Sequence, residues 1–274
     1  VSLIAPPANK WHLVASRSYL TDSKGELRDK LERNPYSYLH VINPTGSGSQ
    51  EVKRGTVPFF KKVKERYIDF KDKGWLVAHE GDRLVVYRQS TEQHTCTGIV
   101  AGLSIESIRA GKLKLHEQTL KRREQLFAKY LQTVECNAEP VLCAFDDMST
   151  TTADEVKRQI ETATEQRPDM DFTTTDRIRH TLWILPSAES LALSDQAQVL
   201  SPIYLADGHH RVASSLMLEE MESTKKSDGT LMAYIIPESE LIIKGYHRGL
   251  REVSWSSEQW EDALDKLSGS LDYV

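Results

Sequence analysis

The stretch PIYLADGHHRVASSLML, residues 202–218, decides the fold. Its opening apolar run suits a buried strand and the residues from His209 onward suit a helix, which leaves only Asp207 and Gly208 to make the turn. A strand that passes so directly into a helix is a unit of an α/β layer. The junction also carries chemistry. The first backbone N–H groups of a helix have no intrahelical partner and sit at the positive end of its dipole, so the corner suits an anion such as phosphate. Gly208 permits a tight turn and close approach of a ligand, and Arg211 in the first turn can fork onto a phosphate oxygen. Asp207 stands where a strand delivers side chains to the C-terminal edge of a sheet, placed to hold Mg²⁺ or to accept from a substrate. Helix capping alone accounts for Asp207 but leaves two histidines and an arginine on one turn unexplained. Adjacent helical residues point roughly 100° apart, so His209 and His210 do not share one metal ion.

Outward from this corner, strands and helices alternate. PVLCAFDD, RIRHTLWIL and LMAYIIP read as strands, while TADEVKRQIETATEQRPD, SAESLALSDQAQVL and a Ser-capped SSEQWEDALDKL read as helices. The expected class is mixed α/β (α+β), a mixed sheet with packed helices. Upstream, VPFFKKVKERYIDFKDKG has a helical aromatic stripe read as core, RLVVYRQ and CTGIVAGLSI form a hairpin, and YSYLHVI reads as a strand. DSKGELRDKLERN reads as a short helix, and IESIRAGKLKLHEQTLKRREQLFAKYLQT as a short helix, a turn and a longer helix with Thr119 as its N-cap. The expected division is an N-terminal α/β portion over 1–103 and a core over 104–274 with a helical insertion near 149–176.

Composition bounds the partners. The 274 residues, 39% hydrophobic, suffice for a real core; 35 basic against 40 acidic residues give a net charge of -5, which argues against nucleic acid and anionic lipid as partners. No apolar run approaches the ~20 residues that span a bilayer. The three cysteines, Cys96, Cys136 and Cys143, form no C-x-x-C pair, so neither a disulfide framework nor a four-cysteine zinc site is expected and the expected compartment is the cytoplasm. His116 and Glu117 are followed by Leu120 where H-E-x-x-H needs its second histidine, so that metalloprotease pattern fails. A start at Val1 and an end directly after a helical pattern are the expectation of a processed or truncated chain. The oligomeric state stays open.

KLHEQT, AEPVLCAF, RIRHTLWIL, YLADGHHRVAS and YHR occur in the order and spacing of a widespread bacterial and archaeal family known as a domain of unknown function, and the chain resembles it from APP near the start to Tyr246-His247-Arg248. More distantly, the His-Glu segment followed by an Asp-Gly-His-His-Arg box is similar to the ParB/sulfiredoxin-like superfamily, in particular its free-serine kinases. That resemblance implies a ParB/sulfiredoxin-like core in the second half, with Glu117 and Asp207 as the essential acids and Gly208, His209, His210 and Arg211 around nucleotide phosphates. Sulfiredoxin chemistry needs a cysteine at the position of His209, and ParB proteins carry a helical DNA-reading domain; neither is present in the sequence.

The activity so implied is that of a phosphotransferase, a small-molecule kinase that moves phosphate from ATP or ADP with Mg²⁺ to a serine-like hydroxyl. Asp207 would bind Mg²⁺ or orient the hydroxyl and Glu117 would take its proton. The alternative is a nucleotide-binding or regulatory module without turnover, which has no need of Glu117. Weaker candidates are His116, Arg122 and Arg123 beside Glu117, His180, and Tyr246, His247 and Arg248. Each has a plain counter-reading: KRRE on a helix as a solvated face, Tyr246-His247-Arg248 as a surface turn, and His180 and Trp183 on opposite faces of a strand with one of them in the core.

Overall fold

In the computed structural model, which describes residues 2–16, 22–45, 52–148, 151–221, 229–245 and 254–268, the chain opens on strand β1 (Ser2–Ala5) and three short helices, α1 (Trp11–Val14), α2 (Lys24–Arg33) and α3 (Leu39–Ile42). The long α4 (Val57–Asp72) follows and leads into β2 (Val77–Asp82), which pairs antiparallel with β1. Then come the hairpin β3 (Val85–Ser90) and β4 (Thr95–Ser104), α5 (Ile105–Arg109), the short β5 (Leu113–Lys114), α6 (Lys121–Val134) and β6 (Val141–Phe145). The rest alternates: α7 (Thr151–Thr164), β7 (Met170–Thr173), β8 (Arg179–Ile184), α8 (Ser187–Ala197), β9 (Ile203–Asp207), α9 (His209–Met221) and β10 (Thr230–Pro237).

Eight strands form one sheet in the order β5-β9-β6-β10-β4-β3-β8-β7, parallel at β5/β9 and β6/β10 and antiparallel elsewhere. The expected mixed sheet with packed helices is present. β4 bonds to β3 on one side and β10 on the other, so residues from both sides of position 103 build the middle of the sheet.

Alternation sets the two faces. Val86, Ile99, Cys143, Trp183, Leu231 and Ile235 point to one, where Ala153, Val156, Ile160 and Ala163 of α7, spaced three and four apart, cover them. Leu142, Ala144, Tyr234 and Ile236 point to the other, so β6 and β10 are apolar on both sides, as interior strands must be. Each fully buried valine, leucine or isoleucine among them contributes about 1.5–3 kcal/mol. A second core, built on Phe59, Phe60, Val63 and Phe70 of α4 with Val14, Val41 and Val134, makes a separate layer. Between this layer and the sheet lies a cavity of about 830 Å³, lined on one side by Ile4, Trp11 and Tyr67 and on the other by Val85, Tyr87 and Met232.

YSYLHVI, expected as a strand, is a turn leading into the one-turn helix α3. Its β-branched and aromatic content yields to packing: Leu39 joins Leu27 and Leu31, while Val41 faces the α4 core. The expected insertion near 149–176 contains α7 only as far as Thr164, and Met170–Thr173 adds to the sheet edge as β7. The N-cap of α6 is Leu120; Thr119 instead turns its hydroxyl to Glu124 Oε1 at 2.5 Å.

Residues 242–274 form a second unit. Its helix α10 (Ser257–Ser268) begins at the expected serine: Ser256 Oγ accepts from Gln259 N at 3.3 Å and Gln259 Oε1 from Ser256 N at 2.9 Å. Among the described residues no helix is long and apolar enough to cross a membrane.

Asp147 ties α7 to the end of β10. Its carboxylate, buried with the side chain out of solvent, accepts from Lys157 Nζ at 2.9 Å, from Ser239 N at 3.0 Å and from Ser239 Oγ at 2.7 Å. Burial pushes its pKa up, but these donors outweigh burial and hold it below the ordinary carboxylate value. A depressed folded pKa stabilises the protein above the unfolded value of about 3.9, and that contribution is lost as pH falls through the folded pKa. Asp147→Asn is therefore expected to cost about 3 kcal/mol at pH 7. The gap in Tm between the two proteins, followed by circular dichroism, should begin to narrow below about pH 4 and close as pH falls through the folded pKa.

Candidate functional site

The Asp207–Arg211 corner forms as a strand–turn–helix junction: β9 ends on Asp207, Gly208 turns at φ 107°, and α9 begins at His209. A register shift between β9 and β6 sets Leu142 opposite Asp207 but Cys143 opposite Leu205, and such an irregularity re-aims the strand's last side chain. The N–H groups of Arg211 and Val212 both donate to Gly208 O, and no acceptor among the described residues meets those of His209 and His210. These are the orphan donors of a helix start.

The structure brings the His-Glu segment here. His116 and Glu117 lie in the coil before α6, which packs along α9. The His209 ring, buried, stands edge-on to that of His116 with centroids 4.4 Å apart, and its Nε2 accepts from His116 N at 3.4 Å. That acceptor role leaves the proton on Nδ1, which faces Glu117 Oε2 at 3.5 Å. Burial, helped by His116, lowers the His209 pKa against the pull of Glu117 and Asp207, so the ring is neutral at neutral pH. The carboxylates of Glu117 and Asp207 are both exposed. His210 Nδ1 is buried and has no hydrogen-bond partner among the described residues.

Arg211 folds back on the corner. Its Nη2 donates to Asp207 Oδ2 at 2.6 Å and its Nη1 to Pro140 O at 2.5 Å, with Glu139 Oε1 3.5 Å away. The guanidinium thus neutralises Asp207 and pins the start of β6. Gly208 serves the same packing: a Cβ there would lie 2.7 Å from Val141 Cγ1. Glu139, Pro140 and Val141 are therefore parts of the corner that sequence reading missed. AEPVLCAF reads as a strand, and only the fold shows that its first residues abut the turn.

Arg122 and Arg123 are exposed on the first turn of α6 without ion-pair partners among the described residues. His180 is not part of the corner. It lies on β8, five strand positions from β9 or roughly 24 Å, and it lines the cavity while Trp183 enters the core, as alternation requires. Tyr246, His247 and Arg248 lie outside the described residues. Among the described residues no group of three or more histidine, cysteine or acidic side chains is placed to hold a metal ion.

Fold and corner together define a mixed α/β protein with an eight-stranded sheet and an open, acid-flanked helix start at the C-terminal end of β9. The chain belongs to the family described as protein of unknown function (DUF1015), which matches residues 2–272. No curated protein and no solved structure matches it. The match corrects the resemblance to the ParB/sulfiredoxin-like superfamily. That likeness rests on two short segments, around His116-Glu117 and Asp207–Arg211, whereas one family spans nearly the whole chain and the sheet is built across the expected start of the core. The descriptors borrowed with it, ParB/sulfiredoxin-like, kinase and transferase, are withdrawn as attributes of the chain's family, whose description names no activity.

Proposed function

We propose that the corner binds the phosphates of a nucleotide, ATP or ADP with Mg²⁺, and that Glu117 takes the proton of a small-molecule hydroxyl beside it, so that phosphate passes to that hydroxyl. The reading rests on the residues of the corner and on no family likeness. The observation that carries it is the convergence of Glu117, from the coil before α6, on His209 at the mouth of a helix whose first donors are open. Phosphate charge suits the N–H groups of His209 and His210 and the cations of Arg122 and Arg123. Asp207, the one carboxylate on the turn itself, would add a single ligand to an ion otherwise held by phosphate and water, which is how Mg²⁺ is usually bound. A neutral His209 presents its Nδ1 proton toward the Glu117 carboxylate, 3.5 Å away.

The protein incubated with ATP or ADP, Mg²⁺ and a panel of hydroxyl compounds should yield a phosphorylated product by mass spectrometry. Glu117→Gln should slow its formation roughly hundredfold while leaving the nucleotide's thermal shift unchanged. Absence of both product and nucleotide binding would end the proposal. Binding without turnover, indifferent to Glu117→Gln, would favour the second reading, a nucleotide-binding regulatory module; the pairing of Asp207 with Arg211, which leaves the acid less free for metal, supports that reading.

A further inference from the structure

We propose that the cavity between the α4 layer and the sheet is a second ligand site, distinct from the corner, for a neutral, flat, conjugated molecule whose carbonyl accepts a hydrogen bond from His180 Nε2. At about 830 Å³ the cavity lies within the range of small-molecule sites. Trp11, Phe172, His180 and Tyr87 make a continuous aromatic wall: Trp11 meets Phe172 at 5.0 Å, Phe172 stacks on His180 at 5.1 Å, and His180 lies parallel to Tyr87 at 6.0 Å. Rings stacked in this way spend their faces on one another and turn edges to the cavity, and the face of a flat conjugated guest packs well against such edges.

The wall carries one donor that is poorly met. Gln89 Nε2 donates to the Tyr87 hydroxyl at 2.7 Å, and that hydroxyl lies 2.6 Å from His180 Nδ1. The single proton of the Thr174 hydroxyl is taken by Asp176 Oδ1 and Ile178 O, so Thr174 Oγ1 can only accept from His180 Nε2. The proton of the ring is therefore on Nε2. Its partner among the described residues is Thr174 Oγ1 at 3.4 Å, at the limit of a hydrogen bond. Burial lowers the His180 pKa against the pull of Asp176, so the group stays a neutral N–H donor and does not become a cation that would favour a carboxylate. The charged lining offers an anion no open cation: Arg83 already donates from Nε and Nη1 to the carbonyls of Glu80 and Leu185, and Glu135 is paired with Lys64 at 2.8 Å.

The probe is a propionyl-(dimethylamino)naphthalene, a neutral flat fluorophore with one ketone and polarity-sensitive emission. It should bind with one-to-one saturation, shift its emission to the blue and quench tryptophan fluorescence. His180→Phe keeps the stack and removes the donor; affinity should fall roughly tenfold. Met232→Trp fills the cavity and should abolish binding, and Leu182→Trp serves the same purpose if Met232→Trp no longer unfolds cooperatively. Asp207→Asn should leave the probe untouched, which separates this site from the corner. Failure of the probe to saturate, full affinity in the filled variants, or full affinity in His180→Phe would each overturn the assignment.

Discussion

Gly98→Ala is expected to lower stability by about 4 kcal/mol or more, a drop in Tm of roughly 10 °C for a chain of this size, if it folds at all. Gly98 sits in β4 opposite Tyr87 of β3, where β10 passes so close that a Cβ would lie 2.2 Å from Ile235 O and 2.8 Å from Ile236 Cγ2. The first of these neighbours is backbone and cannot rotate away. Relief would require β10 to lift from β4, in the middle of the sheet, breaking a ladder that runs from Thr230 to Ile235 and is shared with β6. Gly25→Ala is the matched control: it lies in the first turn of α2, nothing stands within 4 Å of the added carbon, and helix propensity alone should raise stability by up to about 1 kcal/mol. Thermal denaturation of the three proteins separates them. A Gly98→Ala protein with unchanged Tm would mean that β10 does not approach β4 this closely.

That close approach was not legible in the sequence, and the reason is general. CTGIVAGLSI announces a strand because its apolar residues and its neighbour RLVVYRQ announce a hairpin, and the hairpin is there with Ser90 opposite Thr95. Nothing local says that the far edge of the same strand is taken by a segment some 130 residues downstream. The elements misread or unread are those with weak local signal. β2 (VAHEGD) is mostly exposed and shows no alternation, β5 is two residues long, and α3 has strand-like composition overruled by two hydrophobic clusters pulling on Leu39 and Val41. The corner was legible because its signal is covalently local: strand, two turn residues and helix fall within a dozen positions. The arrival of Glu117 beside His209 is a tertiary fact, set by α6 packing along α9, which periodicity does not encode. The cavity is invisible for the same reason, since Trp11, Tyr87 and Phe172 come from three distant segments, and the alternation that sets His180 opposite Trp183 does not say what His180 faces.

Gly208→Ala should damage fold and site together, with an expected loss of about 3–5 kcal/mol. Two separable terms contribute. At φ 107° an alanine is strained whatever the space, which costs about 1–3 kcal/mol. The added methyl would also meet Val141 Cγ1 at 2.7 Å, Val141 Cβ at 3.0 Å and Arg211 Nε at 3.1 Å. The valine is rigid at its Cβ and belongs to β6, so it yields little; the arginine can swing out, but only by releasing Pro140 O and Asp207. A double-mutant cycle with Val141→Ala isolates the clash: that change makes room for the methyl, so the double variant should lose about 1–2 kcal/mol less than the sum of the single losses. Strict additivity would show that Val141 does not press on the turn. A strained turn would re-aim the N–H groups of His209 and His210, so the thermal shift expected of a nucleotide at the proposed site should disappear in Gly208→Ala even at temperatures where the protein is fully folded. In Val141→Ala alone the turn keeps its glycine and Arg211 its partners, so the thermal shift should persist, and its loss there would place the binding determinant in β6, away from the helix start.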